Sequence, residues 1–184
     1  MRKVRVVFHK GKDSLIGRLI IGWTWVLAAL PLQWDRLKYN YSHVEVWFPD
    51  ERGRFEDNSG HPVGRWFSST TRGGSKGVRM ADADEVLKHP ERWDYIEIDI
   101  KQADYDTMIT WSEVLAGEAA RYDYRGIFGF ILPFNVQDRE RWYCSEICAF
   151  LLWNVGVLKL LHTRISPRRL AMVLVSKVLC GKIF

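Results

Sequence analysis

The sequence predicts an α+β domain, a small antiparallel sheet with helices gathered around it. Three observations carry that expectation. Residues 3–9, 42–48, 65–70 and 93–100 read as strands, and 42–48 and 93–100 alternate as half-buried strands do. Residues 103–121 and 144–153 are longer and carry apolar side chains in the manner of buried helices. Turn-forming Gly, Pro, Asp and Asn separate these segments, with no repeat, low-complexity tract or linker, so 1–184 is expected to form one domain.

Each element has its own local reason. The first strand ends near His9, where Gly11-Lys12-Asp13-Ser14 supplies a turn and a helix N-cap. A helix is expected over 15–29, stopped by Pro31. Within 42–48, Val44, Val46 and Phe48 face one side of the strand, and His43, Glu45 and Trp47 face the other. The polar stretch 49–64 reads as a loop or irregular hairpin. Residues 65–70 then return antiparallel to 42–48, until Gly73, Gly74 and Gly77 break the strand. An aromatic stretch over 122–134 leads through Asp138-Arg139-Glu140-Arg141 into the apolar helix 144–153, which Gly156 terminates. Ser166 caps the last helix, Pro167 takes its first position, and Gly181 follows its end near Cys180.

Composition excludes several function classes. A hydrophobic fraction of 47% argues for a folded globule, and nine tryptophans imply heavy aromatic packing or a groove with aromatic walls. The net charge of +5 is dispersed along the chain. It favours weak attraction to membrane surfaces or anionic polymers, and without a zinc-finger, RNA-reader or phosphate-loop signature no specific nucleic-acid partner is expected. Three cysteines cannot all pair within the chain, which points to a reducing compartment or a thiol kept free for chemistry. The opening Lys3-Val4-Arg5-Val6-Val7-Phe8 does not read as a secretory signal, so a cytoplasmic protein is expected. Residues 19–32 are almost wholly apolar but fall short of the roughly 20 that span a membrane. A buried helix is the reading taken there, with insertion into a membrane surface as its alternative.

Cys144 is the candidate nucleophile. It opens an apolar helix, where free N–H groups and the positive dipole end favour a thiolate. Cys148 lies one turn further inside that helix and reads as core, and Cys180 as incidental. Among five histidines only His43 sits on a strand with a carboxylate, Glu45, two positions on and on the same face. Glu45 is the first candidate to orient the His43 ring; Ser68, Ser69, Asp57 and Asn58 are the others. No cofactor or metal is called for: Cys144, Cys148 and His162 lack the common zinc-knuckle spacing.

Four motifs, in order, carry a resemblance. Tyr41-Ser42-His43-Val44-Glu45-Val46 resembles the histidine strand of the circularly permuted, NlpC-type papain-like enzymes, which include the YiiX-like amidases and the lecithin:retinol acyltransferase group. Tyr122-Asp123-Tyr124 is similar to the segment preceding their cysteine helix, and Tyr143-Cys144-Ser145-Glu146 to the start of that helix. Ser166-Pro167-Arg168-Arg169-Leu170 resembles the cap of the closing helix, with Arg169 where an acidic residue is common. The resemblance implies a papain-like fold with Cys144 as nucleophile and His43 as base. It departs at the strand after the histidine, where relatives tend to carry a glutamate and this chain has Trp66-Phe67-Ser68-Ser69-Thr70.

The expected activity is therefore that of a cysteine amidase or peptidase acting on a peptide, isopeptide or acyl-amide substrate. Three alternatives stand beside it. One is an acyltransferase or thioesterase acting on lipids. Another is a binding module with Trp23, Trp25, Trp47 and Trp66 forming a groove. The third is a peripheral membrane protein using 19–32 with Arg168, Arg169, Lys177 and Lys182.

Overall fold

Five strands, β1 (Arg2–His9), β2 (His43–Phe48), β3 (Arg65–Thr70), β4 (Gly77–Asp82) and β5 (Trp93–Ile100), form an antiparallel sheet in the order β5-β1-β2-β3-β4. This is a computed structural model, and it describes residues 1–10, 18, 41–71, 77–118, 121–122, 141–159 and 165–179. Two short strands, β6 (Arg121–Tyr122) and β7 (Arg141–Trp142), extend the sheet beyond β4, with β6 antiparallel to β4 and β7 parallel to β6. The helices are α1 (Ala83–Val86), α2 (Gln102–Gly117), α3 (Cys144–Asn154) and α4 (Pro167–Leu179), with a single 3-10 turn at Pro90–Arg92. The α+β class read from the sequence is the class observed.

Alternation in the strands becomes two buried faces. Val4, Val6, Phe8, Val44, Val46, Phe48 and Phe67 pack beneath the helices, against Met108, Ile147, Leu151 and Leu174. Removing each such side chain from water contributes about 1.5–3 kcal/mol. The opposite face carries a second cluster of Val7, Trp47, Trp66, Phe55 and Ala83. There the Trp66 ring lies 5.1 Å from Trp47 and 5.0 Å from Trp93. Trp47 and Trp66 are 3% and 0% exposed, so they are core and cannot wall an open groove. Trp23 and Trp25 lie outside the described residues.

Two boundaries differ from the sequence reading. Gly77 does not break the sheet but opens β4, whose Val78 and Met80 alternate with Arg79 across the ladder to β3. The cluster of glycines hid that alternation. The helix expected to reach Arg121 ends at Gly117, and Arg121 instead enters β6. The last two helices fall where expected: Gly156 ends the α3 turn with φ 72°, and Ser166 Oγ accepts from the Arg169 N–H at 3.2 Å. Of the helix expected over 15–29 only Arg18 is described, and it is helical and exposed. The rest of that helix, the apolar stretch 19–32, residues 123–134, His162, Cys180 and Lys182 lie outside the described residues. Among the described residues no helix is long and apolar enough to cross a membrane.

Gly64 sets the entry of β3. Its φ is +89°, and a Cβ there would sit 2.1 Å from the Phe48 carbonyl oxygen and 2.9 Å from the Pro49 carbonyl carbon. Both neighbours are backbone and cannot swing aside. Gly64→Ala should therefore cost roughly 3 kcal/mol, from backbone strain and overlap together. Urea unfolding checks this, and an unchanged midpoint would contradict the left-handed turn.

Candidate active site

The site lies where the sheet opens. Pairing between β2 and β3 runs from Phe48↔Arg65 to Val46↔Phe67 and stops there. Beyond that point the backbone groups of Val44 are met by side chains. Its carbonyl accepts from Ser68 Oγ at 2.8 Å and from the Cys148 thiol at 3.7 Å. Its N–H donates to the Cys144 sulfur, as does the N–H of Ser145. Two cysteines one helical turn apart thus flank a single residue of β2.

The sequence builds this junction from both sides. Tyr143 is extended, with φ −103° and ψ 163°, so the chain turns from strand β7 straight into α3 at Cys144. Ser69 Oγ donates to the Trp142 carbonyl at 2.5 Å and pins that turn to β3. Ser145 Oγ donates to the Ile165 carbonyl at 2.6 Å and anchors the helix start on its other side. The first turn of α3 is thereby fixed, with the Ser145 N–H held against the Cys144 sulfur.

His43 is the first residue of β2 and shares a sheet face with Glu45. The Glu45 side chain curls back along the strand, bringing Oε1 to 2.8 Å from His43 Nε2. The other ring nitrogen is left for sulfur, and the His43 ring and the Cys144 thiol are hydrogen-bonded. All three side chains are nearly excluded from solvent: Cys144 is 2% exposed, His43 4% and Glu45 1%. The His43 ring also meets Trp93, edge to face, at 6.4 Å.

Charge and burial oppose each other here, and charge prevails. Burial pushes the Cys144 thiol up, but the positive His43 ring, its hydrogen bond and the two backbone N–H groups bring it below the usual thiol range. Burial likewise pulls His43 down, while the Cys144 thiolate and the Glu45 carboxylate together raise it above the usual imidazole range. Both shifts favour the thiolate–imidazolium form of one interacting pair. Cys148 behaves oppositely. Burial, with the charges of Cys144 and Glu45, pushes its thiol well above the ordinary value, so it stays a neutral donor.

Of the residues singled out in the sequence, the fold brings Cys144, His43 and Glu45 together and engages the other candidates with other partners. Ser68 and Ser69 both give their hydroxyl protons to carbonyls, of Val44 and Trp142. Asp57 accepts from the N–H groups of Ser59 and His61 within its own loop. Asn58 accepts from Arg54 at 3.3 Å. The sequence reading missed Arg79, whose guanidinium lies 3.6 Å from Glu45 Oε1. The signal was available in the alternation of β4, where Arg79 faces opposite to Val78 and Met80. Among the described residues no three His, Cys, Asp or Glu side chains are grouped to hold a metal ion. No protein-family model, no curated protein and no solved structure matches the chain.

Proposed function

We propose that this chain is a cysteine-dependent amidase or peptidase on a papain-like fold of permuted NlpC-type order. The observation that carries the reading is the buried, hydrogen-bonded run Cys144–His43–Glu45 at the N-terminus of α3. The Cys144 thiolate attacks the acyl carbon of an amide or isopeptide, and the first N–H groups of α3 receive the developing oxyanion. The His43 imidazolium gives its proton to the leaving amine as the C–N bond breaks. Water then attacks the thioester, His43 takes its proton, and the acid departs with the thiolate restored. Glu45 holds the ring in the tautomer and charge state that both steps use.

A reducing, cytoplasmic setting suits this chemistry, and Cys144 and Cys148 are both free thiols. A primarily membrane-binding role has less support. Arg168 is buried, and the Lys177 ammonium donates to the Val157 carbonyl, which turns two basic groups of α4 inward.

The pairing fixes the pH profile. Thiolate accumulates above the lowered Cys144 pKa, and imidazolium disappears above the raised His43 pKa, so turnover should rise and then fall across that window. His43→Ala removes the counter-charge and leaves burial to act alone, raising the thiol. Iodoacetamide labelling of Cys144 near neutral pH, read by peptide mass, should then slow by about tenfold or more. A profile unchanged from the parent would sink the pairing.

A further inference from the structure

The active form of the site holds two buried anions, the Cys144 thiolate and the Glu45 carboxylate, against one buried cation, the His43 imidazolium. These three groups by themselves carry a net negative charge in a place almost closed to water. The groups that face Glu45 can be named strand by strand. Its own strand presents His43. Strand β1 presents Val7 directly opposite and His9 two positions on, and β5 adds Tyr95 across from Val7. Strand β3 presents the uncharged Ser68, and α3 presents Cys144 and the neutral Cys148. Arg5, further along β1, is engaged with Glu97 at 3.2 Å. Among the described residues that face Glu45, Arg79 on β4 is the permanent cation.

The register explains how Arg79 gets there from two strands away. Ser68 pairs with Arg79 across β3 and β4, and it follows directly on Phe67, the last β3 residue paired with β2, whose partner Val46 is the neighbour of Glu45. Its side chain is small, fully buried and turned to the Val44 carbonyl, so the arginine passes over it to the carboxylate. The guanidinium stands 3.6 Å from the same Oε1 that bonds His43 Nε2, an ion pair rather than a hydrogen bond. Among the described residues its buried Nε–H has no hydrogen-bond partner, so the side chain sits there at some expense in hydrogen bonding.

We propose that Arg79 is a positioning residue of the site: it supplies the fourth charge, keeps Glu45 ionised, and holds Oε1 against the His43 ring. This rests on the reading of Cys144 and His43 as a working pair. Without Arg79 the buried Glu45 takes up a proton or swings away, and the imidazolium loses its support.

Arg79→Met tests this through two titrations that need no substrate. The acid limb is the pH dependence of Cys144 labelling by iodoacetamide, located by peptide mass. The alkaline limb is the loss of the His43 ring proton, followed by NMR of protein labelled at histidine. Loss of positioning moves the two limbs toward each other: the thiol rises and the imidazole falls, each by about one pH unit. Arg79→Lys, which keeps the charge, should restore most of the window. Should the methionine variant fail to fold by circular dichroism, Arg79→Gln gives the same comparison with a polar side chain. Both limbs rising together would overturn the proposal, because Arg79 would then act only as a distant charge. Both limbs unchanged would overturn it as well. A parent protein whose Cys144 titrates as an ordinary thiol would instead overturn the proposed function, and the two failures are therefore distinct.

Discussion

Cys144→Ala should reduce turnover to the uncatalysed level, a loss of at least about 10⁴-fold, while the chain stays folded. A general acyl probe such as p-nitrophenyl acetate reads this, with intact mass following the acyl-enzyme. The substitution removes one sulfur atom from the helix start, worth about 1 kcal/mol of packing, and leaves the Tyr143 turn and the Ser145–Ile165 anchor in place. Cys148→Ala provides the contrast. Cys148 is fully buried and donates to the Val44 carbonyl, so its loss should cost stability and leave the acyl-enzyme mass intact. The reverse pattern, with Cys148→Ala inactive and Cys144→Ala active, would move the nucleophile one turn along α3.

The fold was legible where a strand or helix carries one periodic signal. Val44, Val46 and Phe48 against His43, Glu45 and Trp47 gave the two faces of β2 directly, because the side-chain period of a strand is two. The caps at Ser166 and Gly156 were equally local. Strand β4 was illegible because glycine at its start signals a turn, and only pairing with β3 overrides that signal. The site follows the same division. Cys144 and His43 could be chosen from position, since a helix start and a strand face are local facts. That pairing between β2 and β3 stops at Val46↔Phe67, or that Arg79 crosses Ser68, depends on register between segments distant in sequence. The orienting group stood open among Glu45, Ser68, Ser69 and Asp57 for that reason. A strand separation of two residues neither forbids nor requires the 2.8 Å contact that forms.

Glu45→Gln is the second large expected effect, and its size separates two roles for the carboxylate. The parent Oε1 is shared between His43 Nε2 at 2.8 Å and the Arg79 guanidinium at 3.6 Å. A glutamine that keeps its amide oxygen toward both donors preserves the tautomer of His43 and removes only the charge that supports the imidazolium. That loss corresponds to a weakening of the ion pair by one to three pH units, and turnover should fall by about 10²-fold. A glutamine that turns its NH₂ to the ring instead forces the wrong tautomer, and the loss should approach about 10⁴-fold, as in the serine-protease template. Arg79 opposes that flip, because it would set two donors against each other, so the smaller loss is expected in the Arg79 background and the larger one in Glu45→Gln combined with Arg79→Met. Ser69→Ala should lower turnover by less than tenfold, since its hydroxyl holds the Trp142 carbonyl and not the ring; its cost should appear in stability, at about 1–3 kcal/mol. A ranking in which Ser69→Ala harms turnover more than Glu45→Gln would place the orienting group on β3. Full activity in both variants would leave His43 and Cys144 working as a bare pair.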